Sequence, residues 1–274
     1  LGAALLAFCT NLLPSFMRAR IKEKLEIIGK LDYKPKKIYM AIDNHWQIQR
    51  LYACSKEPET VAWIEKSIQA NDVFYDVGAN VGAYSFVAWA AAAGKLKVYA
   101  FEPSPSSFAA LSKNIVLNNC SDVITPFNLA LVDETKLLHL NYSNIEAGAA
   151  SHSLDKGMGM SKGEAQRQVI LGYALDDFVR KFDLAMPNYM KIDVDGAEMM
   201  VLGGAHCILA HKGLESILIE VDNFGSNFEK VDGFLIEHNF KRLSKFTRGR
   251  HDGSIFNCIY QRGSGEISCA VCNQ

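Results

Sequence analysis

Acidic residues stand at the ends of three apolar runs, and their spacing is what a nucleoside-binding enzyme needs. The first run, V-F-Y-D-V-G-A-N-V-G at residues 73–82, carries Asp76 just before a turn in which Gly78 and Gly82 flank Ala79 and Asn80. Two glycines there let the backbone turn sharply and leave room for a ligand at the strand's carboxyl end. The spacing is G-x-N-x-G rather than the G-x-G-x-x-G that seats a pyrophosphate on a helix N-terminus, so it suits an adenosine without a pyrophosphate. The second run, K-V-Y-A-F-E-P-S-P at residues 97–105, ends in Glu102, 24 positions after Gly78. In a β-α-β unit this puts a carboxylate at the tip of the neighbouring strand, where its two oxygens can accept from both ribose hydroxyls. Asp76 would face a cationic amino-acid portion, directly or through water. The ligand that combines these features is S-adenosylmethionine, with its ammonium and sulfonium charges. The third run, Y-M-K-I-D-V-D-G-A-E at residues 189–198, delivers Lys191, Asp193, Asp195 and Glu198 to the same sheet edge. Asp193 belongs at the strand tip, near the point where such sheets bind ligand. Asp195 serves the turn with Gly196. Glu198 opens a helix, where the dipole favours a carboxylate whatever its function.

The elements that position these residues alternate. Strands near 72–77, 97–101, 123–131, 169–174, 189–194 and 216–221 are interleaved with helical patterns at 84–93, 106–118, 175–182, 198–210 and 228–238. Further strands near 242–246 and 255–260 follow. This alternation predicts an α/β fold with a mostly parallel sheet and right-handed crossovers. A short strand is expected at 137–142. The Gly-, Ala-, Ser- and Met-rich segment 143–168 then reads as a mobile lid, because a connection that long is functional or disordered. Residues 1–58 read as a mostly helical extension for acceptor or partner binding, with Trp46 and Trp63 as packing anchors. The methyl-transfer core spans 59–263 and a tail 264–274.

Composition narrows the class further. Of 274 residues 49% are hydrophobic, enough for a sizeable core, and 29 basic against 30 acidic residues leave a net charge of −1. No overall field gathers nucleic acid, and the basic runs near 18–24, 34–37 and 241–250 read as solvated surface. Seven scattered cysteines suit a reducing, cytoplasmic compartment, and the single C-x-x-C at Cys269 and Cys272 is a weak metal or redox signal. The apolar stretch 1–13 is too short for a membrane span, and peripheral membrane contact by the N-terminus is compatible with it. The sequence leaves the oligomeric state open.

The chain resembles the FkbM family of S-adenosylmethionine-dependent methyltransferases over roughly residues 60–260. The resemblance rests on D-V-G-A-N-V-G, F-E-P-S-P, N-L-A-L at 128–131, S-H-S-L at 151–154, A-L-D-D-F at 174–178, K-I-D-V-D-G-A-E and I-L-I-E-V at 217–221, in that order. It departs at Asp195, where the family pattern has Glu. The resemblance implies a class I, Rossmann-like methyltransferase: a seven-stranded sheet with helices on both faces and an antiparallel last strand. It also implies methyl transfer to a hydroxyl of a sugar, glycan or polyketide-like molecule. Asp76, Gly78, Asn80, Gly82, Glu102, Pro103 and Ser104 would bind the cofactor. Asp193, Glu198 and His152 are the candidates for taking the hydroxyl proton, a role worth about 10²- to 10⁴-fold. A divalent metal between Asp193 and Glu198 is the less favoured alternative, since no further ligand cluster is visible. Other readings of the same residues are a non-catalytic adenosine-binding protein, a nicotinamide-dependent oxidoreductase and an RNA methyltransferase.

Overall fold

The computed structural model describes residues 13–142, 144–149, 153–154, 166–247 and 254–264. His152, expected above as a candidate base, and the tail with Cys269 and Cys272 fall outside the described residues. The chain opens with a helix at Ser15–Lys24 and two strands, Ile27–Lys30 (β1) and Tyr39–Ile42 (β2). The core strands follow at Val73–Val77 (β3), Lys97–Phe101 (β4) and Ile124–Phe127 (β5). After them come Ala130–Val132 (β6), Lys136–Tyr142 (β7), Ser153–Leu154 (β8) and Gln166–Ala174 (β9). The last four are Tyr189–Ile192 (β10), Ser216–Asp222 (β11), Phe240–Thr247 (β12) and Ile255–Arg262 (β13).

The main sheet has seven strands in the order β12-β13-β11-β10-β3-β4-β5. The pairs from β11 to β5 are parallel, and β13 runs antiparallel to both its neighbours. This is the class I methyltransferase arrangement expected above. Every residue of β3 and β10 is buried, as strands covered on both faces must be. Helices Pro58–Ser67, Ala83–Ala91 and Pro105–Leu117 cover one face through Trp63, Phe86 and Leu111. Helices Leu175–Phe182, Glu198–Gly203, His206–Ala210 and Asn227–Glu237 cover the other through Phe178, Leu202 and Leu235. The chain builds outward from β3 in one direction and from β10 in the other, so their shared carboxyl edge is the switch point where such sheets bind ligands.

Four local readings change. Besides helices at Ser15–Lys24, His45–Arg50, Ala53–Lys56 and Pro58–Ser67, the extension carries an antiparallel strand pair, β1 and β2, that the sequence reading did not show. Ile38, Met40 and Ile42 alternate inward while Tyr39 faces out, which is strand periodicity. The side chains of Asn114 and Asn118 act as a surrogate strand for β2. Their Oδ1 atoms accept from Ala41 N and Tyr39 N at 2.8 Å each, and Asn118 Nδ2 donates to Tyr39 O at 2.7 Å. Trp63 is an anchor, packed against Phe74 and Tyr189, whereas Trp46 is 36% exposed.

The run 123–131 is not one strand. It breaks at Asn128, whose Nδ2 donates to the carbonyls of Glu102 (2.8 Å) and Pro103 (3.1 Å). Beyond the break, β6 joins a separate sheet, β6-β9-β7-β8. The helix expected over 198–210 is two helices, parted at Gly204, where a Cβ would lie 2.0 Å from Val132 O. Finally, the segment 143–168 is not wholly unstructured: β8 pairs with β7, and residues 166–168 begin β9.

Candidate active site

A cavity of about 460 Å³ opens at the carboxyl edge of β3, β4 and β10. Its base is set by two glycine-dependent contacts. Gly78 has φ +80°, and a Cβ there would lie 1.8 Å from Asp193 O, so the tips of β3 and β10 meet backbone to backbone. Gly82, at φ +96°, begins helix Ala83–Ala91, and its missing side chain admits Leu111 and Phe86. Gly82 shapes the turn and does not reach the cavity wall.

Glu102 is the best-defined group on that wall. It is 5% exposed, Oε2 accepts from Asn80 N at 2.7 Å, and Oε1 accepts from Ser104 N at 2.8 Å. Each carboxylate oxygen accepts two hydrogen bonds, so both retain a lone pair for a ligand hydroxyl. Burial pushes the Glu102 carboxyl up to about 7, against the lowering pull of the Ser104 and Asn80 amides and of Arg50. Asn80 and Pro103 line the cavity beside it, while Ser104 is fully buried and contributes its backbone amide. Asn80, at φ +52°, also donates from Nδ2 to Ala149 O at 2.8 Å.

Asp76 is not on the wall. It is buried beneath helix Ala83–Ala91, with Oδ2 accepting from Ser85 Oγ at 2.6 Å and Oδ1 making no hydrogen bond. Burial pushes its carboxyl up, with Lys191 and Ser85 opposing. Lys191 is its register partner on β10 and is 2% exposed. Lys191 Nζ donates to Asp193 Oδ2 at 2.9 Å and lies 4.9 Å from the Tyr84 ring centroid. Burial works against the Lys191 charge, but Asp193, Asp76 and Glu57 outweigh it and hold the ammonium protonated. Asp193 lines the cavity, as does Asp195 at φ +47°.

Glu198 is 2% exposed and is not on the wall. Its Oε1 accepts from Gly196 N and its Oε2 from Asn227 Nδ2, each at 2.8 Å. These bonds fix the turn and the neighbouring helix, and burial away from the cavity, rather than saturation of its oxygens, keeps Glu198 from a ligand. Among the described residues no group of three His, Cys, Asp or Glu side chains is arranged to hold a metal ion.

Further lining comes from residues the sequence reading did not single out. Arg50, Lys56 and Glu57 reach the cavity from the extension, and Glu220 from β11. Arg50 Nε donates to Gly148 O at 2.8 Å, tying segment 144–149 over the cavity, where Ala149 is buried. Glu57 is 4% exposed and accepts from Thr60 Oγ1. Nothing in local pattern marks these residues, because they come from a part of the chain without strand-tip signals. Lys191 did carry one: a lysine inside a buried apolar run needs a partner.

The strand order, with β13 antiparallel beside five parallel strands, defines a class I methyltransferase fold. A family description, Methyltransferase FkbM domain, matches residues 76–242, and the chain belongs to that family. Two relatives align with it. The hexuronic acid methyltransferase AglP of Haloferax volcanii is 26% identical over 164 residues, 60% of this chain and 61% of AglP. The 31-O-demethyl-FK506 methyltransferase FkbM of Streptomyces tacrolimicus is 28% identical over 196 residues, 63% of this chain and 74% of that protein. Among solved structures, the precorrin-6y C5,15-methyltransferase of Geobacter metallireducens aligns over 76% of this chain and 86% of its own, with 14% identity and a TM-score of 0.45. Among the described residues no helix is long and apolar enough to cross a membrane.

Proposed function

We propose that the chain transfers a methyl group from S-adenosylmethionine to a hydroxyl oxygen of a sugar, glycan or polyketide-like acceptor. The observation that carries this reading is Glu102, a buried carboxylate on the cavity wall with each oxygen fixed by one backbone N–H and open to one further donor. That pattern fits a vicinal diol such as a ribose. S-adenosylmethionine, when bound, supplies a methyl carbon activated by its sulfonium. The chain's own task is to place the acceptor oxygen, exclude water and receive the hydroxyl proton.

Asp193 is the carboxylate for that task, because it is on the cavity wall and Lys191 fixes its Oδ2. Asp76 acts at one remove, as the second counter-charge of Lys191, rather than by touching the cofactor. Glu198 supports the turn that carries Asp195 and Gly196. Arg50 lies within electrostatic reach of Glu102, while Lys56, Glu57 and Glu220 add charged groups to the lining that favour a polar, hydroxyl-rich molecule over an apolar one.

Tritiated S-adenosylmethionine tests this against a panel of a hexuronic acid glycoside, a neutral hexoside and a hydroxylated macrolide. The expected product carries label that survives mild alkali, as an ether does. Alkali-labile label would move the acceptor atom to a carboxylate. Asp193→Asn should lower turnover about 100-fold while leaving affinity for S-adenosylhomocysteine nearly intact, because an amide keeps the shape but cannot take a proton. Full turnover in EDTA is expected, and its loss would bring in a metal.

A further inference from the structure

Helix Ser15–Lys24 buries none of its ten residues. A helix this short is marginal in water unless another surface covers it. The chain leaving it continues exposed: Phe16, Leu25 and Ile27 are 65%, 63% and 62% exposed, and Ile28 is 49%. Basic side chains are interleaved with them, with Arg18, Arg20, Lys22, Lys24 and Lys30 all exposed. Residues 13–37 hold eight Lys or Arg against three Asp or Glu, in a chain whose net charge is −1. The rest of the protein is therefore net acidic taken together, with a second, shorter basic run at 241–250. Residues 1–17, which lead into the exposed face, contain no charged side chain.

We propose that this face docks on the anionic surface of a lipid bilayer. Phe16, Leu25 and Ile27 would enter the boundary between headgroups and acyl chains, and the basic residues would lie among the phosphates. A second copy of the chain is a poorer occupant, since a symmetric contact would set like charges against each other. Nucleic acid is poorer too: it would satisfy the cations but leave Leu25 and Ile27 with nothing to bury against. The salt bridge of Glu26 to Lys113, at 3.4 Å, joins this face to helix Pro105–Leu117.

Co-sedimentation of the full chain with vesicles tests the proposal. Vesicles of phosphatidylcholine with about 30% phosphatidylserine should pull the protein down, and phosphatidylcholine alone should not. Raising salt from about 0.1 to about 0.5 M should weaken the binding. Charge reversal by Arg18→Glu, Arg20→Glu and Lys22→Glu together should lower partitioning by about 100-fold or more. Leu25→Ser with Ile27→Ser should lower it at low salt as well, which adhesion by charge alone would not show. Circular dichroism and S-adenosylhomocysteine affinity should be unchanged in both variants. Equal binding to both vesicle types, or none, overturns the proposal whatever the variants do. So does displacement from anionic vesicles by poly(U), or self-association by light scattering with indifference to lipid.

Discussion

Two parts of the cavity lining are built on different principles. On the strand-tip wall, Gly78, Asn80 and Glu102 lie within one β-α-β unit, and their geometry is set by backbone contacts: two amides on Glu102 and the carbonyl of Asp193 against Gly78. Among the lining residues, Arg50, Lys56 and Glu57 arrive from the extension instead, with Arg50 Nε reaching Gly148 O across 98 positions of sequence. A wall made of backbone tolerates little change, because backbone cannot move aside. A lining of long side chains tolerates substitution more readily, because such side chains can rearrange.

The sharpest way to break the strand-tip wall is Gly78→Ala. A Cβ at φ +80° and 1.8 Å from Asp193 O must push two strands apart. The expected loss is about 3 kcal/mol or more in stability, with cofactor binding abolished, measured by urea unfolding and calorimetry. Next in size is Glu102→Ala, which removes two charge-assisted acceptors. Calorimetry with S-adenosylhomocysteine should show a loss of about 1.5–3 kcal/mol, and unchanged affinity would take Glu102 out of the site.

The same residue predicts a pH dependence. With the Glu102 carboxyl pushed up to about 7 by burial, and only its ionised form accepting from both hydroxyls, affinity at pH 6 should be about tenfold below the plateau reached above pH 8. Stability without ligand has the opposite sign. The native state holds this proton more tightly than the unfolded chain, whose ordinary value is 4.5. Its contribution is therefore complete below that value and is lost as pH rises through about 7. Thermal melts with and without S-adenosylhomocysteine across pH 5–9 would separate the two slopes.

The lining from the extension should respond more mildly. Arg50→Ala removes a cation that favours ionised Glu102, so the midpoint of the affinity profile should move upward by less than about one unit and affinity at pH 7 should fall about threefold. Glu198→Gln should have the smallest effect on turnover, under about threefold, since the residue is buried off the cavity and holds Gly196 and Asn227. A 100-fold loss there, equal to that of Asp193→Asn, would place it in the chemistry instead.

Where the sequence was legible, position along the chain determined position in space. Gly78, Glu102 and Asp193 sit at strand tips, and a parallel sheet brings such tips together whatever else the chain does. Asp76 shows where that reasoning stops. A strand buried on both faces gives no pattern from which to choose the face of a given residue, and Asp76 falls on the side of Ser85 and Lys191. The break at Asn128 depends on carbonyls 25 and 26 positions away, and β1 and β2 depend on Asn114 and Asn118. These are partnerships made only by the finished fold. The contribution of Arg50 to Glu57 was hidden for the same reason.

The bonds from Arg50 to Gly148 and from Asn80 to Ala149 join positions 98 and 69 apart in sequence. Contacts of such separation close late in folding, after the local β-α-β units have formed, because the loop entropy is paid before they reward it. Few local contacts replace them, so the same junction opens first when the native state fluctuates. In native-state hydrogen exchange, residues 144–149 should release their amides by a sub-global opening that leaves β3 and β10 protected. A bound cofactor analogue should close that opening by mass action.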